Sequence, residues 1–386
     1  MVWSGESCPR DLQIIKVIDK MRKVWCVWGG RINMEQAARD QASDGTASVP
    51  EVRRMTTSMR FLLGIYGIVP LCLLAMILDR QFAGGYLSTL LPDSPQNFFI
   101  FQILFGTPHI IASAVILATN TNYLYSYRMR LVLFSLFLLA FFGLGSLVLS
   151  YDMFLAIVGS VTILHVIKQQ VGIGKGICRV SGRVYDAWGW CLIVFGSIMY
   201  FMIFTGYDIP ARVEFWVHNA LFGLAVLAVM LSVACHLRSG TFKGRLYLWA
   251  NTLMVLQSGL LYAEGYSFLA ILGPRLVHDL TAFTFYIAHD VNRHSGEAQN
   301  LLYRLVSKLG LGIFWVCPVV AILLTYLIGS FADPLVNSLV TPVLGYDVPY
   351  GASFLIVGYL AMLHYYTEAF TWQSGSAYRQ HVAFRP

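Results

Sequence analysis

Long apolar runs, separated by short polar connections, dominate the chain from Phe61 to Trp372. Ten can be delimited: 61–79, 97–119, 131–150, 152–171, 187–206, 212–236, 246–263, 266–291, 309–330 and 351–372. Each is close to the roughly 20 residues with which an α-helix crosses about 30 Å of hydrocarbon, and the runs are unbroken where a barrel strand would alternate over roughly 10 residues. The pattern predicts an all-α fold: a polytopic membrane bundle of about ten transmembrane helices over residues 58–386. Residues 1–57 differ. There Leu12, Ile15, Val17, Ile18, Met21, Val24 and Trp25 interleave with Lys16, Lys20, Arg22 and Lys23, the pattern of an amphipathic helix lying on a membrane surface, and 36–50 reads as a linker. Because the first apolar run lies behind this polar, basic stretch, it is expected to remain as an anchor rather than to be cleaved.

Composition agrees with the pattern. Of 386 residues, 57% are hydrophobic and 12% charged, and the charged share is half the roughly 25% of a soluble domain, too little to coat a water-soluble globule. The basic residues are also unevenly placed. Ten lie at or before Arg60, and thirteen more fall in alternate connections, whereas the opposite connections hold only Arg80 and Arg212. By the positive-inside rule both termini are cytoplasmic, and the expected location is a multi-pass position in a bacterial inner membrane. The net charge of +7 then answers to anionic membrane lipids and requires no nucleic acid. The seven cysteines lie singly, without a CxxC pair, and read as small buried hydrophobes rather than a disulfide scaffold or zinc ribbon.

The candidate chemistry lies in the histidines. His109, His165, His278 and His364 fall on the second, fourth, eighth and tenth runs, which share one direction, each 12 or 13 residues from the outer end. At about 1.5 Å per residue that is roughly 18–20 Å deep, so four imidazoles share one level. A neutral histidine bonded to a neighbouring helix is the structural alternative for any one of them. Four at one depth point to a shared metal or haem site, since imidazole ligates iron, copper and zinc and ionisable groups inside a membrane face its protein interior. His289 and His294 form a polar end to the eighth run with Asp290 and Asn292. His278 and His289 are separated by about 16 Å of helix, so one ion cannot take both.

Other groups accompany them. Arg275 and Asp279, at i,i+4, form a candidate buried ion pair, and Glu368, one turn from His364, is a candidate ligand or tautomer-fixing carboxylate. Tyr286, Tyr365 and Tyr366 are candidates for orienting oxygen or substrate. Lys168, one turn beyond His165, is expected to snorkel to the interface. Pro108 and Pro274 are expected to break backbone bonding inside helices.

The segments GTPHI at 106–110, LHVIKQQVG at 164–172, FYIAHDVNRH at 285–294 and LHYYTEAF at 363–370 resemble those of the Brp/Blh-type membrane β-carotene dioxygenases. That resemblance covers about a tenth of the chain. It implies central cleavage of a carotenoid by dioxygen at a non-haem iron, with His109, His165, His289 and His364 as ligands. Depth selects His278 where the resemblance selects His289, and both stand. The acidic residues that follow the first two histidines in that family are replaced here by Ile110, Ala112 and the KQQ run.

The leading expectation is therefore a metal-dependent oxygenase, with Fe(II), acting on a lipid-soluble substrate such as a carotenoid or other isoprenoid. Haem or another transition metal, in an electron-transfer protein, and a transporter with a relay through His278, Asp279, Arg275 and Glu368 are the competing readings.

Overall fold

The computed structural model describes residues 54–92, 106–180, 182–205, 210–294, 300–310, 312–347, 351–373 and 375–385. These all belong to one compact unit beginning at Arg54, and the expected amphipathic helix and linker of residues 1–57 lie outside them. Among its described residues the unit is all-α apart from two three-residue strands. Its helices are α1 (Met59–Ile65), α2 (Ile68–Phe82), α3 (Tyr86–Leu90), α4 (Pro108–Thr119), α5 (Thr121–Val148), α6 (Tyr151–Cys178), α7 (Arg183–Thr205), α8 (Ala211–Arg238), α9 (Phe242–Ala263), α10 (Ser267–His294), α11 (Leu301–Lys308), α12 (Ile313–Leu344) and α13 (Gly351–Thr371). Strands β1 (Thr56–Ser58) and β2 (Ala383–Arg385) pair in parallel and join the two ends of the unit.

Among the described residues six segments are long and apolar enough to cross a membrane: Met59–Phe82, Thr121–Gly145, Ala156–Cys178, Arg183–Phe204, Ala211–Arg238 and Ile313–Leu344. The chain is thus an integral membrane protein by the length and composition of its helices. Its outer surface agrees, since α5, α8 and α12 expose Phe137, Leu144, Phe222, Met230, Leu323 and Leu335. Helices α9, α10 and α13 coincide with the seventh, eighth and tenth apolar runs but are less apolar, because they carry buried polar side chains inward. Asn251 and Thr252 lie on α9, His278, Asp279, His289 and Asp290 on α10, and His364 and Glu368 on α13.

Helix α10 is the centre of the bundle, packed against α1, α2, α4, α6, α9 and α12. Pro108 stands in the first turn of α4, where its missing N–H costs no bond within that helix, and Pro274 lies within α10. The ninth run does not end near 330. Helix α12 continues to Leu344 through Pro334 and Pro342, with Leu335, Leu339 and Val343 exposed as outward apolar residues.

The corner between α6 and α9 shows how closely the core is built. The last carbonyls of α6 have no helical donors of their own. The Thr241 hydroxyl donates to Ile177 O at 3.0 Å and the Ser239 hydroxyl to Cys178 O at 3.1 Å. Gly244 makes room for this contact, since a Cβ there would stand 2.6 Å from Cys178 Cα and 3.0 Å from Ile177 O. Gly244→Ala is expected to destabilise the fold by about 1–3 kcal/mol through overpacking against backbone. Gly172→Ala on α6, where a Cβ meets nothing within 4 Å, is expected not to. Thermal unfolding of the two variants in one detergent checks the contrast.

Candidate metal centre

Four buried imidazoles converge where α4, α6, α10 and α13 meet. Pro108 sets the start of α4, so His109 is its second residue, and Arg275 of α10 fixes that end by donating to Gly106 O at 2.7 Å. His165 projects from α6, His278 from α10 and His364 from α13. Their relative exposures are 0%, 9%, 1% and 2%, so none depends on solvent for its polar contacts. Ring centres are 5.1 Å apart for His109–His278, 5.2 Å for His109–His364, 4.9 Å for His165–His278 and 4.8 Å for His165–His364. His278 and His364 face each other across this quadrilateral at 6.5 Å.

Each ring is held by its surroundings. His109 Nδ1 lies 3.1 Å from Asp279 Oδ1, and Asp279 is in turn 3.3 Å from Arg275 Nε. His278 Nδ1 lies 2.9 Å from Gln169 Oε1, an oxygen that only accepts, so the proton sits on Nδ1 and the Nε2 lone pair remains for coordination. Gln169 is itself steadied, taking a bond from Gln170 Nε2 and donating to Glu368 Oε2. Gln170 Oε1 accepts from Tyr247 and lies 3.0 Å from the Tyr66 hydroxyl. His364 Nδ1 is 3.5 Å from the Tyr286 hydroxyl, which donates to Glu368 Oε1 at 2.5 Å. His165 Nε2 is 3.4 Å from Glu368 Oε2, and its ring stacks on Tyr365 at 4.4 Å, whose hydroxyl is 2.9 Å from Thr162 Oγ1.

This arrangement suits a metal ion. Ligand atoms of His109, His278 and His364 lie within 4.8 Å of one another, and so do those of His165, His364 and Glu368. An imidazole nitrogen about 2.1 Å from an ion puts its ring centre about 3.2 Å away, so rings at right angles about the ion lie about 4.6 Å apart and opposed rings about 6.5 Å. The four adjacent separations lie slightly above the first value and the His278–His364 diagonal matches the second. The Nε2 atoms of His278 and His364 are buried with no hydrogen-bond partner among the described residues, a costly state that coordination relieves.

The structure separates the remaining candidates from this group. His289, three helical turns from His278 along α10, has both nitrogens engaged, Nδ1 3.0 Å from Asp290 Oδ1 and Nε2 2.9 Å from the Tyr123 hydroxyl. Asp290 also accepts from Tyr303. His294 stacks on Tyr303 at 3.9 Å. These residues form a second polar knot that ties α10 to the chain ends, with Asn292 bonded to Met55 and to His381 O. Tyr366 is directed to the opposite side of α13 from His364, away from the ring cluster, and stacks on Phe134 at 4.0 Å, where both line the groove beside it. Lys168 stands 4.1 Å over the Trp190 ring. Gln169 was not singled out from sequence, although it lies at i+4 from His165 and so on the same helix face, the one signal that identifies it.

A groove of about 700 Å³ runs beside the cluster, with His165, Gln169, Tyr365 and Glu368 in its polar wall and Phe134, Leu164 and Met362 among its apolar ones. No family model, no curated protein and no solved structure shows significant similarity to this chain.

Because Asp279 orients His109, Asp279→Asn is expected to weaken metal binding about 10–100-fold. Competition with a chromophoric chelator reads this directly. His289→Ala, by contrast, is expected to leave metal content unchanged and to lower the unfolding temperature, since it breaks the knot at the end of α10.

Proposed function

We propose that the protein is an integral-membrane, metal-dependent oxygenase that holds Fe(II) at His109, His165, His278 and His364 and acts with dioxygen on a lipid-soluble substrate. The reading is carried by one observation: the Nε2 atoms of His278 and His364 are buried with no hydrogen-bond partner among the described residues, while their Nδ1 atoms face Gln169 and Tyr286. Neutral imidazoles fixed in this tautomer are ready ligands that need not be deprotonated. The resemblance of the four short histidine segments to Brp/Blh-type dioxygenases supports iron and a carotenoid or other isoprenoid substrate. We assign the α10 ligand to His278 rather than His289. Ten membrane crossings, cytoplasmic termini and a bacterial inner membrane complete the proposal, on the strength of the basic residues in alternate connections.

When bound, the iron supplies the redox chemistry with dioxygen that this activity requires. The chain's own residues do the rest. Asp279, Gln169 and Tyr286 orient the rings, and Glu368 gathers Gln169, Tyr286 and His165 into one network. Tyr365 fixes His165 by stacking, and both rings line the groove. Phe134, Leu164 and Met362 bind an apolar chain there and keep water from the reacting centre. His109 and His165 stand beside the gap between the opposed His278 and His364 rings, where a porphyrin would have to lie, which supports a bare ion over haem.

Metal analysis on detergent-purified protein tests the proposal. Wild type is expected to carry about one iron per chain, and His278→Ala and His364→Ala to lose most of it. Full retention in both variants, or a Soret band in wild type, would contradict the assignment.

A further inference from the structure

The groove beside the histidines has a chemistry of its own that says more about its occupant than lipid solubility does. Its length follows α6 from Val161 to Gly176, about 22 Å at 1.5 Å per residue. Apolar walls come from Phe134, Val161, Leu164, Ile173, Met362 and Trp372. Along its floor, Gly172 and Gly176 leave the α6 backbone bare, and a Cβ at either position would meet nothing within 4 Å, so the trough is open to a chain lying along it.

Two cations line the same groove, Lys168 and Arg379. Both lie on the C-terminal side of the histidines along their segments, Lys168 one turn past His165 and Arg379 beyond the end of α13. The carboxylate facing the groove, Glu368, is already engaged by Tyr286, Gln169 and His165. Among the described residues neither Lys168 nor Arg379 forms an ion pair. Lys168 is held over Trp190, and Arg379 spends one donor nitrogen on Val382 O, which leaves guanidinium donors to spare. Cations beside apolar walls are stabilised by an anion, and a pure hydrocarbon offers none.

We infer that this groove binds an amphiphile with one long apolar chain and an anionic end, a carboxylate or a phosphate, with its head between Lys168 and Arg379 and its chain along α6 past His165. The inference deepens the proposed function and rests on it for the fate of the chain, but the binding itself requires only the groove. A wholly apolar substrate would lie in the same trough without engaging its two cations.

The test uses the full-length protein in neutral detergent with three radiolabelled probes of one chain length: palmitate, hexadecyl phosphate and hexadecanol. At least one acid is expected to bind about tenfold or more tightly than the alcohol, and the tighter acid identifies the head group. Lys168→Met combined with Arg379→Met is expected to reduce acid binding to the level of the alcohol. Gly172→Leu, at an exposed helical position that favours leucine over glycine, is expected to weaken all three probes and provides a test independent of the charge variant's folding. Equal binding of the three probes, or an acid preference that survives both cation substitutions, overturns the inference. Iron content measured on the same samples separates the two claims. Acid preference without iron defeats the oxygenase alone, and iron without acid preference defeats the amphiphile alone.

Discussion

Burial of polar side chains without water is the constraint on which this bundle depends. In a hydrocarbon environment every unsatisfied polar group costs several kcal/mol, so inward histidines, carboxylates and amides must find one another. Helix α10 concentrates the problem by carrying Arg275, His278, Asp279, His289 and Asp290 on a buried surface. The solution has two parts. Near the middle of the helix, His278 and Asp279 join His109, Gln169 and Arg275, and near its end His289 and Asp290 join Tyr123 and Tyr303. Both knots bridge helices far apart in sequence, which lets polar contacts fix the register of a bundle whose apolar contacts are largely interchangeable.

The two knots differ in completeness, and that difference carries the functional reading. Around His289 both ring nitrogens are occupied by protein atoms. Around His278 and His364 the Nδ1 atoms are engaged and the Nε2 atoms have no partner among the described residues. A structural knot satisfies itself, whereas a ligand cage leaves unmade the bonds that its ion will make. The groove beside the cage adds two cations, Lys168 and Arg379, that face its apolar walls while Glu368 is already bound elsewhere.

Much of this was legible in the sequence because membrane helices obey simple arithmetic. Residue counts from the ends of the apolar runs put His109, His165, His278 and His364 on one level, and the helices bring those four together. Depth carries no information about rotation, however. Tyr366 shares its neighbourhood with Tyr365 yet points to Phe134, one step of about 100° around α13. Motif similarity favoured His289, which sits in a dense polar string, but its neighbours Asp290 and Tyr123 use up its nitrogens. Gln169 was obscured by its place in the KQQ run beside Lys168, where amides read as the polar end of a span. The extension of α12 to Leu344 was hidden by Pro334 and Pro342, residues that end helices in water and are tolerated where neighbours compensate. The pairing of β1 with β2 joins segments more than 300 residues apart and leaves no local pattern to read.

The central claim is that imidazoles from four separate helices grip one ion. X-ray absorption at the iron edge of the purified, iron-loaded protein tests it most directly. The account predicts a first shell dominated by nitrogen at about 2.1 Å, with outer-shell scattering from about four imidazole rings. A shell of oxygen or sulfur ligands without imidazole scattering would contradict it.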